Sequence, residues 1–221
     1  MNKVLIVSGG SLDDVFARKY LSEGQFSYVI VADAGMGFFY RSAKQGIDKT
    51  PDLIVGDFDS ADEEMLEYFK TKKEIEWRTF SSHKDNTDTE IAVLAALEKG
   101  AEEVHILGGL GSRMDHSIAN IYLLSVLEEQ GVCAYLIDTR NRIRLIDKPT
   151  VLQKETQYGK YVSLIPFMGN VTGVTLEGFC YPLKDYDFDH CHSIGISNEI
   201  EMSSAKIWLR SGQLLLIESR D

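Results

Sequence analysis

Two textures of hydrophobic patterning divide this chain. Up to about Asp138, short apolar runs alternate with stretches of helical period. Runs at 4–7, 28–32, 53–55, 75–80, 104–107 and 133–137 predict strands. Apolar positions three and four apart predict helices near 13–21, 37–45, 62–72, 87–99 and 115–130. Short apolar strands separated by single helices predict a mostly parallel, Rossmann-like sheet covered on both faces. After Asp138 the helical period disappears. Strand-like runs at 143–146, 161–166, 171–176, 194–197, 205–209 and 214–217 follow, with glycines and polar turns between them. That spacing predicts a small all-β sandwich. The expected fold is an α/β N-terminal domain, residues 1–139, joined without a flexible linker to an all-β domain, residues 140–221.

The chemistry gathers at strand-to-helix junctions. The segment Asp52-Leu-Ile-Val-Gly-Asp57-Phe-Asp59-Ser60 puts two carboxylates just past a buried strand, and Ser60 with Glu63 has capping-box spacing. Lys84-Asp85-Asn86-Thr87-Asp88-Thr89-Glu90 repeats the arrangement, with Thr87 and Glu90 as a second capping box. An acidic first turn is ordinary, because it complements the helix dipole. Two such clusters at successive junctions open onto one edge of a wound sheet, where their carboxylates repel unless a cation compensates them. Paired hard oxygen ligands suit Mg²⁺, which takes one or two protein carboxylates and completes its shell with water and phosphate. Asp57, Asp59 and Asp88 are the expected metal ligands.

A third junction carries the opposite sign. Gly108-Gly-Leu-Gly111-Ser112-Arg113-Met-Asp115-His116 follows a strand and opens a helix. Glycines admit a phosphate to the backbone, a helix start offers free N–H groups, and an Arg fork fits phosphate oxygens. His116 alone is more often a helix-start residue than a base. The first turn, Val7-Ser8-Gly9-Gly10-Ser11, lacks the full spacing of a dinucleotide fingerprint or a P-loop, which disfavours NAD and conventional kinase chemistry.

Taken in order, Ala32-Asp33-Ala34-Gly35, Gly56-Asp57-Phe58-Asp59-Ser60, Lys84-Asp85-Asn86-Thr87-Asp88, the segment from Gly108 to Asn120, and Gly195-Ile196-Ser197-Asn198-Glu199 resemble the thiamin pyrophosphokinase family over essentially the whole chain. The resemblance implies transfer of a diphosphate from ATP to thiamine, giving thiamine diphosphate and AMP. It also implies Mg²⁺ and a homodimer with active sites shared between subunits. Asp33, Lys84, Gly109, Gly111, Ser112 and Arg113 would hold the nucleotide, while Asp85 or Asp115 would accept or orient the hydroxyl proton. Ser197 and Asn198 would bind thiamine. In animal members an aromatic follows that pair; here Glu199, Ile200 and Glu201 follow, and Tyr181 is the candidate for stacking. Two other readings fit parts of the pattern: a metal-dependent nucleotide-sugar transferase, and a nucleotide or thiamine sensor without turnover.

Composition sets outer limits. A net charge of −11 argues against nucleic acid, whose phosphates require a basic surface. The cysteines, Cys133, Cys180 and Cys191, lack paired spacing and suit a reduced cytoplasm. No stretch has membrane-spanning length. Residues 187–192 crowd Asp, His and Cys together without zinc-ligand spacing and are expected to form a surface loop. The all-β part has few residues with which to bury its faces. A strand holding Val162, Leu164, Ile165 and Phe167 is therefore expected to lie against a second copy.

Overall fold

A computed structural model describes residues 1–47, 49–59, 61–80, 86–111, 113–189 and 193–221. The chain divides into two compact units, Met1–Thr139 and Arg140–Asp221.

The first unit runs β1 (Lys3–Val7), α1 (Asp14–Glu23), β2 (Tyr28–Ala32), α2 (Met36–Lys44), β3 (Leu53–Gly56), α3 (Glu63–Lys70), β4 (Glu76–Thr79), α4 (Asp88–Glu98), β5 (Glu103–Leu107), α5 (Met114–Glu129) and β6 (Cys133–Ile137). Its strands are parallel in the order β4-β3-β2-β1-β5-β6. Successive apolar residues on the central strands are buried on both faces: Val4 to Val7, Leu53 to Val55, and Val104 with Ile106 and Leu107. That is why these strands read as unbroken apolar runs rather than alternating ones.

Local capping sets where the helices begin. Asp62, not Ser60, caps α3, accepting the Met65 N–H at 3.0 Å; Ser60 lies outside the described residues. Thr87 caps α4 as its spacing predicts, accepting the Glu90 N–H at 3.2 Å. The Glu90 carboxylate accepts from the Asn86 side-chain amide at 2.6 Å.

The second unit contains β7 (Asn141–Ile146), β8 (Thr150–Gln153), β9 (Tyr161–Glu177), β10 (Leu183–Phe188), β11 (Asn198–Glu199), β12 (Ser204–Trp208) and β13 (Ser211–Ser219). All pairings are antiparallel. The expected runs at 161–166 and 171–176 are one strand, β9, bent at Met168 and Gly169, both at positive φ. Its first half joins β13 and β11 and its second half joins β12 and β10, so one strand turns the corner of a sandwich. The expected strand at 194–197 is a turn, with β11 starting at Asn198. Residues 187–192 are not wholly a loop: Asp187 and Phe188 end β10, and residues 190–192 lie outside the described residues.

Val162 and Leu164 are consumed by the unit's own core with Val174, Phe188 and Ile207, and Phe167 is buried as well. They do not form an exposed face awaiting a second copy. These three are covered because β9 is long enough to contribute to both sheets, while Ile165 is only half-buried.

Gly108 sits at φ +68°, and a Cβ placed there would lie 2.4 Å from the Ser8 carbonyl oxygen. Gly108→Ala should therefore destabilise the protein by more than about 1 kcal/mol, the usual scale for Ala forced into a glycine-only conformation. Urea unfolding would check this; a midpoint equal to that of the parent protein would contradict the packing described.

Candidate active site

The chain leaves β1 toward β2, β3 and β4, then returns on the other side of β1 as β5. Such a reversal opens a crevice at the carboxyl ends of the two strands, where doubly wound sheets bind ligands. A cavity of ≈ 320 Å³ lies there. Its walls come from the turns after β1, β2 and β5 and from the starts of α4 and α5, including Ser8, Gly10, Asp33, Asp88, Gly108 and Arg113.

Close backbone packing builds the floor. The Gly10 N–H donates to the Gly108 carbonyl at 2.9 Å, and a Cβ on Gly10 would stand only 2.3 Å from that oxygen. The hydroxyls of Ser8 and Thr89, both buried, are 2.6 Å apart, tying the start of α4 to the end of β1. Asn120, buried on α5, donates its amide to the Gly109 carbonyl at 2.8 Å. The Gly111 N–H is already taken by the Ser117 hydroxyl at 3.1 Å. At α5 the N-cap residue Arg113 makes no side-chain cap bond, and the first-turn carboxylate of Asp115 takes the His116 N–H at 2.9 Å instead.

Beside this floor two acidic turns meet. Asp33 has a left-handed φ of +40° and is half-buried at the cavity. A Cβ on Gly56 would be 3.2 Å from both the Cα and the Cβ of Asp33, so the turn carrying Asp57 presses against the one carrying Asp33. Asp57 Oδ1 accepts the Asp59 N–H at 3.2 Å, with Phe58 between them at φ +60°. Phe58 is held by an edge contact with Trp77, centroids 5.3 Å apart. Asp88 is the first residue of α4 and lines the cavity. Among the described residues no three His, Cys, Asp or Glu form a ready-made metal cluster. That donor set still fits Mg²⁺, which needs only one or two hard carboxylates when substrate phosphates supply further oxygens.

Arg113 is exposed at the mouth and grips Asp115 with both arms of its fork, Nε–Oδ1 at 3.1 Å and Nη2–Oδ2 at 2.5 Å. The His116 N–H donates to the same carboxylate at 2.9 Å. These contacts, the Arg113 hydrogen bond foremost, hold the Asp115 carboxyl below the ordinary aspartate value and raise Arg113. Asp115 is thus a weakened proton acceptor.

In the second unit Ser197 sits at φ +59°, its N–H donating to the Ser163 hydroxyl at 3.0 Å. The side chain of buried Asn198 is fully engaged with backbone. Its Oδ1 accepts from Tyr181 N at 3.0 Å and Glu199 N at 2.9 Å, and its Nδ2 donates to the Tyr181 carbonyl at 2.7 Å. The clamp fixes the backbone of Tyr181 while the residue stays 69% exposed.

Both units match known domains. The thiamin pyrophosphokinase catalytic domain matches residues 19–136, and the thiamin pyrophosphokinase vitamin B1 binding domain matches residues 149–214. The thiamine pyrophosphokinase of Bacillus subtilis (strain 168) is 32% identical over 166 residues, 75% of this chain and 77% of that protein. This chain belongs to the thiamin pyrophosphokinase family. The crystal structure of the Bacillus subtilis protein superposes with a TM-score of 0.85 at 28% identity over 99% of each chain. That of Geobacillus thermodenitrificans gives 0.83 at 27% identity, covering 99% and 98%. The yeast enzyme, at 17% identity and a TM-score of 0.81, shares the fold.

Within this thiamin pyrophosphokinase fold, Asp33, Asp88, Gly109, Gly111 and Arg113 of the sequence candidates line the cavity together. Asp57 and Asp59 stand at the adjoining turn, and Asp115 pairs with Arg113 beside the mouth. Lys84, Asp85 and Ser112 lie outside the described residues. Sequence reasoning set aside the Ser8-Gly9-Gly10 turn and gave no role to Thr89 or Asn120, all of which line the cavity. A usable signal was present: Gly9-Gly10 after β1 mirrors Gly108-Gly109 after β5, and paired glycine turns on neighbouring strands mark a close approach. Matches through both units leave the all-β part explained, which a nucleotide-sugar transferase would not.

The Arg113–Asp115 pair gives a direct check. Titrating the Asp115 carboxyl by NMR should give a midpoint below that of an ordinary aspartate. Arg113→Ala should move it up; an unmoved midpoint would mean that the pair does not form in solution.

Proposed function

We propose that this chain transfers the diphosphate of ATP to thiamine, with the first unit holding nucleotide and the second holding the vitamin. The observation that carries the reading is the cavity at the β1/β5 reversal. Its glycine turns and guanidinium suit phosphates, and acidic turns stand beside it.

In this reaction the hydroxyethyl oxygen of thiamine attacks the β-phosphorus of ATP. The bond from that phosphorus to the oxygen bridging it to the α-phosphorus breaks, and AMP departs with that oxygen. The hydroxyl proton must leave the attacking oxygen. Asp85 and Asp115 are the two carboxylates that would accept or orient it. Arg113, released from Asp115, grips the phosphates, and the backbone of residues 108–111 lies close against them. Asp57, Asp59 and Asp88, with Asp33 beside Gly56, are the residues that would hold Mg²⁺, which when bound neutralises charge on the phosphate oxygens. The main work left to the protein is alignment.

For thiamine we assign the turn of Ser197 and Asn198, with Asn198 acting by position. Its amide is spent on Tyr181, and the exposed Tyr181 ring is the surface offered to the vitamin's rings. Tyr181→Ala and Asn198→Ala should then raise the thiamine KM together while leaving the ATP KM unchanged.

The activity is tested by incubating the protein with ATP, Mg²⁺ and thiamine and measuring AMP and thiamine diphosphate. One AMP per thiamine diphosphate is expected, and no AMP without thiamine. Asp88→Asn should lower kcat by about a hundredfold or more while retaining the fold. ADP as product, or full activity in chelator, would refute the reading.

We place the working form in the cytoplasm as a homodimer with sites shared between subunits. Cys133 and Cys180 are free thiols, and among the described residues no helix is long and apolar enough to cross a membrane. Met114, Ile118 and Tyr122, four residues apart on α5, are exposed as an apolar stripe suited to a second copy. Ile118→Glu should shift sedimentation from dimer to monomer; a parent protein that is already monomeric and fully active would remove the shared-site proposal.

A further inference from the structure

A second cavity, of ≈ 260 Å³, opens between α1 and α2. Its floor is apolar, built from Leu21, Phe38 and Phe39. In its wall stand Arg18 and Ser42, whose Nη1 and Oγ atoms are buried yet meet no hydrogen-bond partner among the described residues. Ser42 is only 3% exposed. Buried donors are rarely left unmade, because each has lost its water without replacement. Two in one cavity wall therefore call for an explanation.

The charge around them has one sign. Arg18, Lys19 and Lys49 all line the cavity, and no acidic residue does so among the described ones, although the chain as a whole carries −11. Asp14 acts on Arg18 through space, but both its oxygens are already held by Arg41 at 2.7 Å. Nη1 of Arg18 is thus left without a hydrogen-bonded partner among the described residues. Apolar walls with a few convergent polar groups are the usual makings of a small-molecule site. Here the polar groups are a fork of donors and a hydroxyl, the complement of a carboxylate or phosphate.

We propose that this cavity is a second binding site, for a small molecule with an apolar ring or short alkyl body and one anionic head, carboxylate or phosphate. The head would meet Arg18 and Ser42, with Lys49 adding long-range attraction, and the body would rest on Leu21, Phe38 and Phe39. The site is separate from the β1/β5 cavity and does not depend on the activity assigned to it.

Isothermal titration of the full-length protein with 4-phenylbutyrate and with phenyl phosphate tests this. At least one probe should bind once per chain, and saturating ATP should not displace it. Arg18→Met should weaken binding about tenfold or more, and Ser42→Ala roughly threefold. If Arg18→Met fails to fold, Lys49→Met on the exposed rim keeps the test open; it should weaken binding and make affinity fall less steeply as salt is added. Binding of one probe alone identifies the head group. No binding of either probe at millimolar concentration, displacement by ATP, or affinity indifferent to both Arg18→Met and Lys49→Met would overturn the proposal.

Discussion

The contact on which the first unit depends is backbone against backbone. The turn after β1 and the turn after β5 touch through the Gly10 N–H and the Gly108 carbonyl, with no room for a side chain at either residue. Parallel neighbours in a wound sheet diverge at their ends, and here the divergence is limited by that bond. The cavity consequently has glycine backbone in its floor, which lets a ligand approach the main chain closely. The α4 crossover is then locked to the same point by the Ser8–Thr89 hydroxyl pair. Glycine at these positions is a geometric requirement before it is a chemical one.

The strands and helices of the first unit were legible because parallel strands buried on both faces leave unbroken apolar runs. The acidic and glycine-rich junctions were legible because strand ends and helix starts are marked by punctuation. The Ser8–Thr89 contact was not, since it joins residues 81 apart in sequence, which no local pattern encodes. In the all-β unit β8 and β10 were missed: Thr150–Gln153 is short, and Leu183–Phe188 carries Lys and two Asp on its exposed positions, so neither looks like a buried strand. The unity of β9 was hidden by Met168-Gly169, which resembles a turn and is a bend. Ser60 lost the cap of α3 to Asp62 because two capping residues stood within reach and spacing alone could not choose.

Asn198 illustrates how a recognisable motif residue can be spent on the fold. Bonded to backbone through both its oxygen and its nitrogen, the amide acts as a local brace for Tyr181. Ser197 shares in this arrangement through its left-handed backbone, which a β-branched residue could not adopt without strain. Motif identity and contact are therefore different properties, and only the second depends on geometry.

The Arg113–Asp115 ion pair carries a kinetic implication. A nucleotide that recruits Arg113 does not find a vacant cation; it exchanges one anion for another. The carboxylate displaced remains tethered two residues away, at high effective concentration, ready to reclaim the guanidinium. On the proposed function Asp115 would act as a built-in competitor, weakening the hold of Arg113 on whichever phosphate it meets.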